Sequence, residues 1–161
     1  MFDFEKKVKI TVESEKYDNS EALVAKDPMD DGKDKEPLHE TIRFSTEGTL
    51  SSKNGKVSLD YDDSELFEGE KTGVSIMFNE GAQDLVSMMR GGSVSTAMVF
   101  ESGKRHICVY TTPFMTFEVC IHTTKVSNRL LTDGTLYLEY SIEVHGVSAE
   151  RTKMSVRVVE I

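Results

Sequence analysis

Apolar and polar side chains alternate at every second position along most of this chain, a pattern typical of strands that bury one face. In the first such segment, Val8, Ile10 and Val12 are separated by charged or hydroxyl residues. The further alternating segments are 42–50, 57–61, 74–78, 94–100, 107–111, 117–121, 136–144 and 154–158. With two less regular apolar segments, 85–89 and 126–130, the pattern predicts about ten strands. The one helical candidate is 20–26, which Pro28 would end.

The turn residues between these segments predict that consecutive strands form hairpins. Asn54-Gly55 favours a type I′ turn, because that turn requires positive φ at both central residues. A two-residue turn there pairs Leu50 with Leu59 and Gly48 with Tyr61, so the apolar residues of both strands share one face.

Two later turns predict hairpins in the same way. Ser102-Gly103 favours a second two-residue turn, and Thr132-Asp133-Gly134 favours a loop with glycine in the left-handed region. The resulting pairs are Thr96 with Val109, Leu130 with Leu136, and Asn128 with Leu138.

Successive hairpins with one apolar face predict an antiparallel up-and-down β-barrel, since closure removes the exposed strand edges. The fold class is therefore all-β, an antiparallel up-and-down barrel of about 8–10 strands. The 161 residues are the length of one domain, so we expect residues 1–161 to form a single barrel. An acidic loop is inserted at about residues 15–37.

The net charge of −9 is concentrated in two segments. Residues 15–36 contain eight acidic and four basic residues (−4), and residues 60–70 contain six acidic residues and no basic one (−6). In a meander, the connections after the first and third strands fall at the same end, which predicts an acidic rim around one barrel mouth. An acidic chain argues against binding nucleic acid, and no apolar run is long enough for a membrane helix.

Several stretches resemble the YwiB-like family of bacterial proteins of unknown function. The matching stretches are Val8–Val12, Phe44–Leu50, Phe67–Gly73, Arg90–Arg105, Tyr110–Phe114 and Leu136–Tyr140. The resemblance runs from about residue 5 to the end of the chain, although Met115 stands where the family tends to have glycine. It implies a barrel of the calycin or lipocalin type, a bacterial cytoplasmic setting and an interior suited to a small molecule. It implies no catalytic residues.

Two cysteines and two histidines flank the turn at 112–116. A three-residue loop there would pair Cys108 with Cys120 and His106 with His122, all on the face away from the apolar stripe. Four such ligands on one face could bind zinc. The alternative, which we favour, is no metal site, with two half-buried thiols and two surface imidazoles.

The acidic stretch 27–36 has a superficial likeness to a calcium-binding loop. Aligning Gly32 with the loop glycine places Asp27 and Asp31 at ligand positions, but Met29 and Leu38 fall where acidic ligands are needed. A solvated acidic loop is the expected alternative.

Polar residues on the predicted inner face are the candidates for ligand contact, because a few hydroxyl or amide groups among apolar walls orient a small molecule. Arg90 and Arg105 lie at strand ends, where either could meet a carboxylate at the barrel mouth. The predicted ligand-binding residues are Thr46, Tyr61, Thr96, Arg105, Thr111, Asn128 and Tyr140.

These features lead to one functional hypothesis and an alternative, with an enzyme ranked below both. The chain lacks the nucleophile-elbow, P-loop and dinucleotide-binding motifs, which disfavours enzymatic activity, and we expect no cofactor. We expect a cytoplasmic barrel that binds a small apolar or amphipathic molecule. The alternative is a filled barrel that acts through a protein partner or as a homodimer. Its docking face would be apolar residues opposite the core stripe, for which the candidates are Val86 with Met88, or Ala97 with Val99.

Overall fold

The computed structural model describes residues 3–18, 38–62, 72–92, 95–144 and 147–161. Within those ranges the chain forms ten β-strands and no helix. The strands are β1 (Phe4–Asp18), β2 (Leu38–Lys53), β3 (Lys56–Asp62), β4 (Gly73–Asn79), β5 (Ala82–Arg90), β6 (Ser95–Glu101), β7 (Arg105–Thr111), β8 (Thr116–Arg129), β9 (Thr135–Val144) and β10 (Val147–Glu160). The helical candidate at 20–26 and the calcium-loop candidate at 27–36 lie outside the described residues.

Each strand pairs antiparallel with the next one along the chain, and β10 returns to pair with β1. The closing pair is long and regular, from Val8 opposite Glu160 to Asp18 opposite Glu150. The predicted closed meander is therefore confirmed. Closure leaves each strand with two neighbours, so the sheet has no open edge.

Alternate side chains of the strands point inward and form the core of the barrel. Phe100 is fully buried near the centre, and its ring packs against Tyr140 with 4.7 Å between the centroids. Val8, Ile10 and Leu59 are likewise buried without measurable exposure. Burial of these apolar surfaces is the main favourable contribution to folding.

The hairpin at Asn54-Gly55 has the predicted turn. Both residues have positive φ, 54° and 79°, and Leu50 pairs with Leu59 as expected. Gly48 pairs with Tyr61, also as expected. Here local turn chemistry and the apolar pattern favour the same register.

The hairpin between β6 and β7 differs from the prediction by one residue. The N–H of Lys104 donates to the carbonyl of Glu101 (3.0 Å), and Gly103 adopts a φ of 76°. The strands then pair Thr96 with Tyr110 rather than with Val109. A one-residue shift exchanges the two faces of a strand. As a result β7 buries Cys108 and exposes Ile107, whose side chain is 71% exposed.

The predicted faces of β5 were also wrong. Val86 and Met88 point into the barrel and are buried, whereas Leu85 and Met89 are exposed. The cause is an irregularity in the β4–β5 pairing between Met77 and Asn79, which changes the face on which each β5 residue lies. On β6, Ala97 and Val99 lie on the outer face, as predicted.

The loop between β8 and β9 is longer than predicted but preserves the faces. The Arg129 carbonyl accepts the N–H groups of Thr132, Asp133 and Gly134, so the loop spans 130–134. Asn128 therefore pairs with Leu136 instead of Leu138. The register moves by two residues, and a shift of two keeps the same side chains facing inward.

One end of the barrel carries the last residues of β1, β3, β5, β7 and β9. We call it the acidic end, because the connections 19–37 and 63–71 leave from it. The strand ends that flank these two connections, Asp18 with Leu38 and Asp62 with Gly73, lie at this same end, as the meander predicted. The connections themselves are outside the described residues.

Candidate functional site

A cavity of about 270 Å³ lies inside the barrel at the acidic end. Its apolar wall is formed by Val12, Ile42, Phe44, Met88, Met98, Ile142 and Met154. Its polar lining is formed by Ser14, Lys16, Tyr61, Thr72, Arg90, Thr96, Tyr110, Tyr140 and Glu150. A concave site that combines apolar surface with polar groups is the arrangement by which proteins hold small molecules.

Four of the cavity-lining residues, Tyr61, Arg90, Thr96 and Tyr110, belong to a row of side chains that runs across six neighbouring strands. Residues that pair in register on the same face of a sheet are direct neighbours, so the pairing itself places this row. From β3 to β8 it consists of Tyr61, Val74, Arg90, Thr96, Tyr110 and Phe117. We call it the polar row.

Arg90 occupies the middle of the polar row because it is the last residue of β5. It pairs with Val74 on one side and with Thr96 on the other. Immediately after it, the N–H of Gly91 donates to the carbonyl of Gly73 (3.0 Å), which fixes the strand end. The half-buried guanidinium therefore lies at the wall of an otherwise mostly apolar chamber.

Two phenols flank the cavity near this guanidinium. Burial raises the pKa of Tyr110 and, much more strongly, that of Tyr140. The negative charge of Glu150 raises the pKa of both phenols further, and the positive charge of Arg90 opposes it. Both phenols therefore stay neutral at physiological pH, where each can donate or accept a hydrogen bond.

Ring packing orients the tyrosines around the chamber. Tyr110 stacks on Phe117 with 5.6 Å between the centroids and a 20° angle between the planes. Tyr61 meets Phe44 in a tilted contact at 6.2 Å. Aromatic pairs in such geometries are attractive beyond their buried area, so these contacts help to fix the rings.

Thr96 contributes a hydroxyl that is buried at the cavity wall. The residue is 8% exposed, and its Oγ1 has no hydrogen-bond partner among the described residues. A buried hydroxyl without a hydrogen-bond partner lowers the stability of the folded protein. Thr96 therefore favours binding of a ligand group that supplies the missing hydrogen bond.

Only some of the predicted ligand-binding residues line the cavity. Tyr61, Thr96 and Tyr140 line the cavity. Thr46 is half-buried on the inner face, opposite Ile10, but it does not line the cavity.

Asn128 lies far from the cavity, near the opposite end of the barrel. Its Nδ2 donates to the carbonyl of Gln83 (3.1 Å), and its Oδ1 accepts the N–H of Leu130 (3.2 Å). The first bond joins β8 to the start of β5, and the second is local to the end of β8. The amide therefore stabilises the barrel end.

Neither Thr111, predicted on the inner face, nor Arg105, predicted at a barrel mouth, points into the barrel. Both lie on the outer face of β7, because the β6–β7 turn is one residue longer than predicted. The Arg105 side chain is 60% exposed, and its Nε lies 2.9 Å from a carboxylate oxygen of Glu143. The same shift brings Tyr110 to the inner face, where sequence reasoning did not place it.

Five polar cavity residues besides Tyr110 were not among the predicted site residues: Ser14, Lys16, Thr72, Arg90 and Glu150. Arg90 was predicted to lie at a strand end, where it could meet a carboxylate at the barrel mouth. The signal that could have identified Ser14, Lys16 and Glu150 is their position on the same parity as the core residues of β1 and β10. Polar residues that continue a core stripe toward a barrel mouth are candidates for contact with a ligand.

The predicted pairing of the cysteines and histidines was also wrong. Cys108 pairs with Val119 and Cys120 with Ile107, so the two thiols lie on opposite faces of the sheet. The loop 112–115 has four residues, and the Thr112 hydroxyl accepts the N–H groups of Phe114 and Met115. Within the described ranges, no group of three or more His, Cys, Asp or Glu side chains is placed to hold a metal ion.

This register makes a prediction about thiol reactivity. Cys108 is buried, and burial raises the pKa of its thiol, whereas Cys120 is partly exposed. We expect an aromatic disulfide reagent at pH 8 to modify one thiol rapidly in the folded protein and the second only after unfolding. Cys120→Ser should remove the rapid phase and Cys108→Ser should retain it. Equal rates for both thiols would contradict the described register.

A second, wider concavity of about 780 Å³ lies at the ends of the short strands near the polar row. It is open to solvent, and its outer-face lining includes Glu47, Asp60 and Asp62 along with Met89 and Val109. We favour the smaller interior cavity as the site, because it encloses a ligand more completely.

Comparison with known proteins identifies similar chains. The family model described as a domain of unknown function (DUF1934) matches residues 27–156. The crystal structure of the ywiB protein from Bacillus subtilis is similar, with a TM-score of 0.64 and 19% identity, over 95% of this chain and 92% of that chain. At this identity the structural likeness shows the fold alone. No curated protein matches the chain.

Proposed function

Since the chain belongs to the DUF1934 family of YwiB-like proteins, whose description carries no activity, we propose its function from the cavity. The protein binds one small amphipathic molecule inside the acidic end of the barrel and does not catalyse a reaction. The observation that carries this proposal is the partly enclosed chamber of about 270 Å³, which is lined by apolar side chains and by four residues of the polar row.

The size and lining of the chamber define the ligand. Its volume lies just below the roughly 300–1,000 Å³ typical of sites for drug-sized molecules, so the ligand is small. Phe44, Met88 and Met98 offer an apolar surface, and methionine side chains adapt to irregular shapes. The phenols and the Thr96 hydroxyl would orient its polar part.

A cavity-filling variant tests the proposal. Ser14 is buried at the cavity wall, so Ser14→Leu should place extra carbon atoms where the ligand would lie. Ligand at 100 times its Kd stabilises a protein by about 2.7 kcal/mol. For a chain of this size that raises Tm by roughly 5–10 °C. We expect this shift with some members of a panel of small amphipathic molecules, and its loss in Ser14→Leu.

The matched control is Ser155→Leu, since Ser155 is exposed on the outer face of β10. It should keep the ligand-induced shift. Native mass spectrometry of the same samples should show one added small molecule per chain. Shifts that persist unchanged in Ser14→Leu, or a panel that leaves the wild-type Tm unchanged throughout, would refute binding in this cavity.

A second candidate function is an interaction module that pairs with another copy of the chain. It is favoured by an apolar strip on the outer face, where Met89, Ala97 and Val109 pair in register across three strands and Ile107 is exposed beside them. Exposed apolar patches of this kind often mark interaction sites. The native mass spectra also distinguish this candidate, because a dimer without added small molecule supports it.

The proposal includes a cytoplasmic location, without a nucleic-acid or membrane partner. The two cysteines are not joined in a disulfide, which is the usual state of thiols in a reducing compartment. The net charge of −9 disfavours contact with phosphate backbones. None of the described ranges contains a helix long and apolar enough to span a bilayer.

A further inference from the structure

Exposed apolar side chains are concentrated on the hairpin formed by β7, β8 and the loop 112–115. Five of the ten exposed large apolar side chains within the described ranges lie there, and they include the three most exposed ones, Phe114, Ile107 and Met115. Residues 107–117 contain no charged residue and no histidine, although 29% of the chain is charged. A contiguous apolar surface of this kind marks an interaction site, whereas single scattered apolar residues do not.

Hydrogen bonds hold the loop at the tip of this hairpin in one conformation. The N–H of Thr112 donates to the carbonyl of Met115 (2.8 Å), and the Thr112 hydroxyl donates to the same carbonyl (3.0 Å). That hydroxyl also accepts the N–H groups of Phe114 and Met115. The Phe114 side chain, 95% exposed, projects from this ordered loop into solvent. A loop that is already ordered loses little conformational entropy when its side chains dock.

A surface suited to receive the Phe114 ring lies on the outer face of the same chain. Met89, Ala97 and Val109 pair in register on β5, β6 and β7, and all three line the wider concavity of about 780 Å³. We call them the receiving row. Ala97 is exposed, and its short side chain lies between two longer ones, which leaves a notch in the row. The concavity falls within the roughly 300–1,000 Å³ typical of sites for drug-sized molecules, so it has room for an aromatic ring.

We propose that two copies of the chain form a symmetric dimer in which Phe114 of each copy packs on Ala97 of the other copy, between Met89 and Val109. The hairpin borders its own receiving row, because Val109 belongs to both. Two copies related by a twofold axis therefore exchange their hairpin tips at the same time, and the assembly closes as a dimer. This inference specifies the contact for the second-copy association described above, and it does not depend on ligand binding in the interior cavity.

Charge and buried area favour this contact and indicate a weak dimer. Two chains of net charge −9 repel each other, so they approach most easily where neither surface is charged, as in residues 107–117 and the receiving row. A phenylalanine buries about 150–250 Å² and every contact occurs twice, so the two tips and the surfaces they cover bury on the order of 1,000 Å². Interfaces of that size are at the low end for specific complexes. We therefore expect dissociation in the micromolar range, below which Phe114 is exposed in the monomer.

Sedimentation velocity of the full chain, at concentrations from below to well above the micromolar range, measures the Kd of the dimer. Phe114→Lys and Ala97→Glu should each raise this Kd by at least about 100-fold, because each removes two contacts that contribute a factor of about ten or more apiece. The matched controls are Val159→Lys and Ser155→Glu, which introduce the same charges at exposed positions on the outer face of β10 and should leave the Kd unchanged.

An equimolar mixture of Phe114→Lys and Ala97→Glu distinguishes exchanged tips from other modes of apolar association. The mixed dimer retains one intact tip on one intact receiving row, and its second contact joins the introduced lysine to the introduced glutamate. We expect the mixture to sediment as a dimer at concentrations where each variant alone is a monomer. Added NaCl should lower the Kd of the wild-type dimer, because salt screens the repulsion between two chains of net charge −9.

The outcomes separate this inference from ligand binding in the cavity. A wild-type chain that stays monomeric at every concentration would overturn the dimer, and the Ser14→Leu comparison would still decide the cavity proposal. A dimer that persists in Phe114→Lys would place the interface elsewhere and overturn this contact. A mixture in which both variants remain monomers would overturn the exchange of tips. Circular dichroism melting verifies that each variant is folded.

Discussion

Phe100→Ala is expected to lower the free energy of unfolding by about 3–5 kcal/mol, because it removes a buried aromatic ring and leaves a cavity. Phe100 has no measurable exposure, and its ring packs at 4.7 Å from that of Tyr140. The surrounding strands are closed into a barrel, so they cannot easily collapse into the vacated space. Urea denaturation followed by circular dichroism measures the change.

Phe114→Ala is the matched control for this substitution. Phe114 is 95% exposed in the loop between β7 and β8, so its loss should change the stability by less than about 0.5 kcal/mol. A similar loss of stability for both variants would show that Phe100 does not lie in the core.

Gly48→Ala should have the second large effect, a loss of about 3 kcal/mol, at the upper end of the range for overpacking. A Cβ at Gly48 would collide with the backbone oxygen of Asp60, and it would lie 2.6 Å from Cδ1 of Ile10. A backbone oxygen cannot move away without disturbing the pairing of β2 with β3. The Cβ of Tyr61 would also be only 3.1 Å away, so the first residue of the polar row would shift.

Gly81→Ala is the corresponding control, because a Cβ at Gly81 would meet no atom within 4 Å. Thermal and urea unfolding should show Gly81→Ala within about 0.5 kcal/mol of the wild type. If Gly48→Ala is as stable as Gly81→Ala, the close approach of β2 and β3 at this position is incorrect.

The hairpins show where prediction from sequence succeeded and where it failed. At Asn54-Gly55, one turn type satisfies both the backbone and the apolar stripe, and the predicted register is confirmed. At Ser102-Gly103, a two-residue and a three-residue turn are both compatible with a single glycine. The apolar pattern favoured burial of Ile107 and Val109, but the longer turn buries Cys108 instead.

Which residues line the candidate site depends strongly on the length of these turns. Tyr61, Thr96 and Tyr140 were predicted correctly as inner-face residues, because their strands continue clear apolar stripes. Tyr110 was missed and Thr111 was misplaced through a one-residue change in a single turn. Such a change costs little locally, yet it exchanges every side chain of the strand between the two faces.

The sequence by itself determined the all-β class, the approximate strand number, the meander order and the position of the two acidic connections at one end. These features follow from period-two alternation and turn residues, which act between neighbours along the chain. Only the tertiary structure decided that Arg90 and Glu150 face each other across one small cavity. That arrangement depends on closure of the barrel and on the register of every strand between β5 and β10. Alternative turns and bulges differ little in local free energy, so the register of each strand is fixed only when the whole sheet closes.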